Sequence, residues 1–300
     1  MIEGIHIILT YKCNFECDHC FLYCSPQSEG TFTIKQILNV LKQAKKTGTV
    51  KDIFFEGGEP FLFYPLLLEG IKKASSVGFK VGIVTNAYGA NSREDAELWI
   101  KPLIDAGLSY MHISNDEFHY EDEKENPATI AYSVALDFEI ETLCINIEKP
   151  KPTSSVKDLN EKGYPIVEGE ARLRGRAVEK LIKDLPMRSW QDMKECPYED
   201  LDDPSRVHVD PFGNVHLCQG IIMGNVWKKS LTKIISDYKV EKHPICGPLI
   251  RGGPAQLVKE LNISPESEYA DECHLCYSVR REIIDKYSEY LAPKQVYGLK

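Results

Sequence analysis

The 300-residue chain is predicted to be an α/β protein with parallel strands and a small appended α+β domain. Three observations predict this. Strands and helices alternate as far as about residue 187, a cysteine-rich loop follows the first strand, and from residue 188 onward the alternation gives way to cysteines, turns and a β-hairpin. Strand–helix alternation implies parallel strands joined by crossovers. The predicted domains are 1–187 and 188–300.

The first element is the apolar run from Ile5 to Leu9, read as a buried strand. It feeds the loop Cys13-Asn14-Phe15-Glu16-Cys17-Asp18-His19-Cys20, at the strand's carboxyl end, where α/β proteins place chemistry. A helix follows Thr33: Thr33 and Gln36 form a capping box, Ile34, Ile37, Leu38, Leu41 and Ala44 keep helical spacing, and Gly48 ends it. The second strand, Asp52 to Phe55, runs into Glu56-Gly57-Gly58-Glu59-Pro60. There two glycines let the backbone approach a ligand and a carboxylate offers an acceptor for an ammonium group, although a tight turn would use the same residues. Then come a helix from Pro65 to Val77, a strand from Lys80 to Thr85, a helix from Arg93 to Ala106 and a strand from Ser109 to Ser114. A short helix near Ala128 to Ala135, a strand from Thr142 to Ile147, a helix near Ser155 to Lys162 and a strand near Ile166 to Leu173 complete about six βα units, short of the eight of a closed barrel. Past the boundary, Arg206 to Asp210 and Val215 to Cys218 flank the turn Pro211-Phe212-Gly213-Asn214, a hairpin.

Three thiolates on one short loop can hold three irons of a cubane cluster and leave the fourth iron open as a binding site. Zinc wants four ligands, and His19, the available fourth, lies inside the run rather than at the usual spacing beyond it. The C-x3-C-x2-C spacing of Cys13, Cys17 and Cys20 resembles the radical S-adenosylmethionine (SAM) enzymes. The resemblance implies a partial (β/α)6 TIM-type barrel, open on one side, and a [4Fe–4S] cluster whose open iron is chelated by SAM. An electron delivered by a donor such as flavodoxin or ferredoxin then generates a 5′-deoxyadenosyl radical that abstracts a substrate hydrogen. Gly57, Gly58, Glu59 and Pro60 resemble the family's segment that contacts the amino group of SAM. Ser114 resembles a contact to its ribose or carboxylate, and Asn86, ending the third strand, is a further cofactor candidate. The segment Arg172-Leu173-Arg174-Gly175-Arg176-Ala177 resembles one common in members with auxiliary clusters, and Arg172 and Arg174 are candidates to pair with the cofactor carboxylate, against a basic turn capping a helix. His119 is the candidate acid/base, against a surface histidine.

Cys196, Cys218, Cys273 and Cys276 resemble the ligands of the single auxiliary [4Fe–4S] cluster in the shortened SPASM domain called twitch. Structural zinc on the same four thiolates is the alternative, and Cys246 is the substitute for Cys196. Cys144, in an apolar strand, reads as a core hydrophobe, and Cys24 as having no role. Ten cysteines without a leader peptide point to metal ligation in a reducing cytoplasm, and no apolar run reaches membrane-spanning length. A formal charge of −9 argues against nucleic acid bound through a general basic surface. The expected function is an oxidation or bond-forming step on a small molecule or a peptide. Because the first strand begins almost at residue 1, leaving no room ahead of it for a leader-recognition domain, a small molecule or partner-presented peptide is favoured. A peptide- or protein-modifying maturase is the alternative, and a non-enzymatic metal scaffold, with no need of Gly57 to Pro60 or Ser114, ranks last.

Overall fold

A computed structural model, which describes residues 1–122, 124–152, 163 and 166–300, is built on one eight-stranded sheet. Its strands are β1 (Gly4–Thr10), β2 (Asp52–Gly57), β3 (Lys80–Thr85), β4 (Tyr110–Ser114), β5 (Glu141–Ile145), β6 (Arg206–Val209), β7 (Asn214–Cys218) and β8 (Ile221–Asn225). In space they run β8-β7-β6-β1-β2-β3-β4-β5. Strands β6 through β5 are parallel, and β7 and β8 are antiparallel.

Helices α1 (Ile34–Thr47), α2 (Tyr64–Ser76), α3 (Arg93–Asp105) and α4 (Pro127–Asp137) connect successive strands of the parallel run. Thr33 and Gln36 form the capping box expected of α1, and Gly48 closes it in the left-handed conformation. The period-two alternation of the strands divides the sheet into two faces. Ile7 pairs with Phe55 on the helical side, where the Phe55 ring lies against Gly70 of α2. His6 pairs with Phe54 on the opposite side, and there Phe54 stacks on His6 (4.9 Å) and on Tyr110 (5.7 Å) and covers Gly82. One face therefore buries an aliphatic core, while the other gathers rings and titratable groups.

The sixth parallel strand is not the one expected. Residues near Ile166 to Leu173 give only a two-residue pairing, Val167–Glu168 with Lys151–Pro152, outside the main sheet, and the helix expected near Ser155 to Lys162 lies outside the described residues. The position beside β1 is taken by β6, the first strand of the predicted hairpin. The physical reason is burial: Val207 and Val209 are fully buried, whereas Ile166 and Val167 are each 37% exposed. Residues after 188 thus extend the main sheet as well as adding helices α5 (Leu231–Asp237), α6 (Cys246–Leu261) and α7 (Glu272–Ile283). Cys144 also departs from expectation: it is exposed, because β5 is the last strand of the sheet and pairs only with β4. No helix among the described residues is long and apolar enough to cross a membrane.

Candidate functional site

Cys13, Cys17 and Cys20 line one cavity at the carboxyl ends of β1 to β4, together with Gly57, Gly58, Asn86, Ser114 and His119. Burial pushes the Cys13 thiol up to about 12 and that of Cys17 higher still. Cys20 is drawn down to about 6, above all by its hydrogen bond with Cys24. The Cys24 amide donates to Cys20 Sγ (3.3 Å), so the cysteine given no role in the sequence supports a ligand candidate. Phe15 N donates to Cys13 Sγ (3.4 Å), and Asn86 Nδ2 lies 3.9 Å from that sulfur while donating to Asn14 Oδ1 (3.0 Å). One buried and one half-buried thiol that resist ionisation, with amide dipoles turned toward the sulfurs of Cys13 and Cys20, suit an electrophilic metal that supplies the missing driving force for deprotonation. His19 converges with Asp116 and His119 rather than with these thiols; its ring lies on Phe118 (4.4 Å), burial lowers it to about 4, and its buried Nδ1 has no partner among the described residues.

The Gly57 to Pro60 segment is stitched to the cysteine loop. Gly58 N donates to Thr10 O and Glu59 N to Lys12 O, both at 2.8 Å. A Cβ on Gly58 would stand 2.0 Å from Lys12 O, and one on Gly57, whose φ is +139°, 2.3 Å from Thr10 O. Glycine is needed here for the approach of two protein strands. Gly58→Ala is accordingly expected to cost about 1–3 kcal/mol and to lower iron incorporation, read by thermal melting and iron analysis.

Glu59 does not face the cavity as its expected role requires. It is fully buried, capping a short turn, and its carboxylate accepts from Phe61 N (2.9 Å), Thr85 Oγ1 (2.7 Å) and Asn86 N (2.8 Å). Desolvation raises it to about 7 despite those bonds. His119 Nδ1 lies 2.7 Å from Asp116 Oδ1, and Asp116 also accepts from Phe118 N (3.1 Å) and Ile147 N (3.3 Å). A carboxylate so anchored fixes the ring that borders the cavity, the arrangement an acid/base group needs.

The three arginines divide differently from the expectation. Arg176, not among the cofactor candidates, holds the cysteine loop: its guanidinium donates to Cys17 O (2.8 Å) and Cys24 O (2.6 Å) and its amide to Cys20 O (3.0 Å), while Gly175 packs on the same carbonyl. Nothing in the sequence distinguishes it from its neighbours. Arg172 and Arg174 turn to the second cysteine group instead. Both bond to Glu199 Oε1, Arg172 lies over the Tyr198 ring, and Arg174 Nη1 reaches Cys218 Sγ at 3.0 Å.

Cys196, Cys218, Cys273 and Cys276 line a second, more apolar cavity with Arg174 and Arg280. Burial pushes Cys196 up to about 12 and raises Cys273 and Cys276. Arg280 is 2% exposed and bonds only to Cys276 O, Gln219 O and the Tyr297 hydroxyl, with no carboxylate partner among the described residues. A buried guanidinium of that kind calls for a nearby anion, and four metal-bound thiolates would provide it. Cys246 does not line this cavity; it is buried beside Tyr238, within electrostatic reach of Cys218, Cys276 and Cys196.

Residues 7–134 match the model of the Radical SAM superfamily. Among curated proteins the chain is similar to the Bacillus subtilis (strain 168) "Putative peptide biosynthesis protein YydG", 27% identical over 39% of this chain and 37% of that protein. It is also similar to the tungsten-containing aldehyde ferredoxin oxidoreductase cofactor-modifying protein of Pyrococcus furiosus, 28% identical over 38% and 31%. The matched segment thus spans 37% and 31% of these relatives' own lengths. Among solved structures, that of BtrN in complex with AdoMet and 2-DOIA superposes with a TM-score of 0.56 at 16% identity, covering 90% of this chain and 98% of BtrN, which shows a shared fold. Over residues 7–134, a little under half of its length, the chain is thus similar to the radical SAM superfamily.

Proposed function

We propose that Cys13, Cys17 and Cys20 hold a [4Fe–4S] cluster, that SAM occupies the cavity beside them, and that Cys196, Cys218, Cys273 and Cys276 hold a second [4Fe–4S] cluster. The observation that carries this reading is the shared cavity: three thiols from one loop meet the ends of β2, β3 and β4 on ground prepared by Gly57, Gly58, Asn86 and Ser114. When bound, the first cluster and SAM supply a carbon radical able to remove a substrate hydrogen. The protein's share is positional. Arg176 and Gly58 fix the thiol loop, Asn86 orients the surroundings of Cys13, and Asp116 holds His119 at the rim for proton transfer. Cys196, Cys218, Cys273 and Cys276 would hold the second cluster, Arg174 and Arg280 would balance its charge, and it would supply a one-electron acceptor, with flavodoxin or ferredoxin as the external donor to the first.

A small-molecule oxidation is the primary reading, and the similarity to a peptide biosynthesis protein supports modification of a peptide as the second. The test of the chemistry is anaerobic reconstitution, then incubation with SAM and dithionite. Release of 5′-deoxyadenosine supports it, and none from iron-replete protein rejects it. For the second cluster, Cys196→Ala is expected to remove one reducible cubane by electron paramagnetic resonance (EPR), and Cys246→Ala to leave the count unchanged. Stoichiometric zinc in place of iron would reverse the assignment.

A further inference from the structure

On the face of the sheet away from the helices, three adjacent strands each contribute one donor to a single point. His6 of β1 and His208 of β6 are register partners, and Glu56 of β2, paired with Ile8, brings its carboxylate to both rings. His6 Nδ1 is 2.8 Å from Glu56 Oε2, and His208 Nε2 is 3.1 Å from Glu56 Oε1. All three donor atoms lie within 4.8 Å of one another. Burial alone would raise the Glu56 carboxyl, but the two imidazoles hold it well below the usual carboxylate range.

We infer that His6, Glu56 and His208 form a binding site for a divalent transition-metal ion, separate from both cysteine groups. Adjacent ligands at right angles around an ion, each about 2.1 Å from it, stand about 3 Å apart, the spacing that Glu56 keeps to each imidazole, through Oε2 to His6 and through Oε1 to His208. Two imidazoles and one carboxylate form a donor set suited to manganese, iron, cobalt or zinc. Their side chains are 20%, 12% and 10% exposed, so the group is sheltered yet reachable. Glu56 also lines the cavity of Cys13, Cys17 and Cys20. Three protein donors leave coordination positions for water or for an oxygen of a substrate in that cavity, so the ion would select substrates bearing a hydroxyl or carboxylate. Binding of the ion itself does not depend on the radical chemistry.

Mn2+ is the probe, because it prefers nitrogen and oxygen to the thiolates elsewhere in this chain. It is titrated into anaerobically reconstituted, unreduced protein and followed by EPR. The expected result is one saturable equivalent whose pulsed spectrum carries nitrogen modulation from two imidazoles, a readout that needs no variant. Glu56→Gln should weaken binding at least tenfold. Asp116→Asn should not, which separates this site from the other convergent group, His19, Asp116 and His119. Absence of saturable Mn2+, a bound ion without nitrogen modulation, or loss on Asp116→Asn with retention on Glu56→Gln would overturn the assignment and leave a hydrogen-bonded cluster.

Discussion

Replacing Cys13, Cys17 and Cys20 together by Ala is expected to abolish release of 5′-deoxyadenosine from SAM, leaving no signal above a protein-free control, while one reducible cubane remains in the C-terminal cysteine group. Iron should fall by about one cubane. The two effects separate because the two sets of thiols line different cavities with different supports: Arg176 holds the carbonyls of the first loop, whereas Arg174 and Arg280 border the second group. Folding should survive, since the loop and the residue before it keep their main-chain bonds to Ser25, Glu59 and Arg176, and two of the thiols lost are costly to ionise without metal. Unchanged iron in the triple variant, or cleavage that persists, would refute the proposed ligand set. Loss of both cubanes would show instead that the C-terminal group depends on the first cluster for its assembly.

Much of this was legible because hydrophobic periodicity and capping are local. The Thr33–Gln36 box, the apolar runs of β1 and β2 and the alternating valines of the hairpin marked elements that the structure contains. What escaped is non-local. No pattern in Ile166 to Leu173 reveals that Val167 and Glu168 will pair outside the main sheet, or that Val207 and Val209 will pack beside β1. Arg172, Arg174 and Arg176 lie in irregular backbone with no regular face to read, so their division between two cavities appears only when Cys17, Cys24, Glu199 and Cys218 are in place. The His6, Glu56 and His208 group did leave a trace. Each is a titratable residue on a strand whose alternate positions are apolar, which marks one polar face, but only strand order makes the three faces one.

Glu59→Ala is expected to destabilise the protein by roughly 3–5 kcal/mol, because three donors lose their acceptor in a fully buried place and each unsatisfied group costs about 1–3 kcal/mol, with the Thr85 hydroxyl free to turn elsewhere. Glu59→Gln should cost less: its carbonyl can serve Phe61 N and Thr85 Oγ1, and only the pairing with Asn86 N is replaced by two opposed donors. Since the carboxylate is spent within the fold and does not line the cavity, the affinity of folded Glu59→Gln protein for SAM should stay within about twofold of the parent. Denaturant melts and equilibrium SAM binding on the reconstituted variants distinguish the cases. A loss of roughly 1.5–3 kcal/mol in affinity at unchanged melting temperature would mean that the carboxylate accepts a charge-assisted bond from the ammonium group of SAM after all. The opposite pattern identifies Glu59 as the bond between the turn after β2 and the end of β3, and through Asn86 as a support for the surroundings of Cys13.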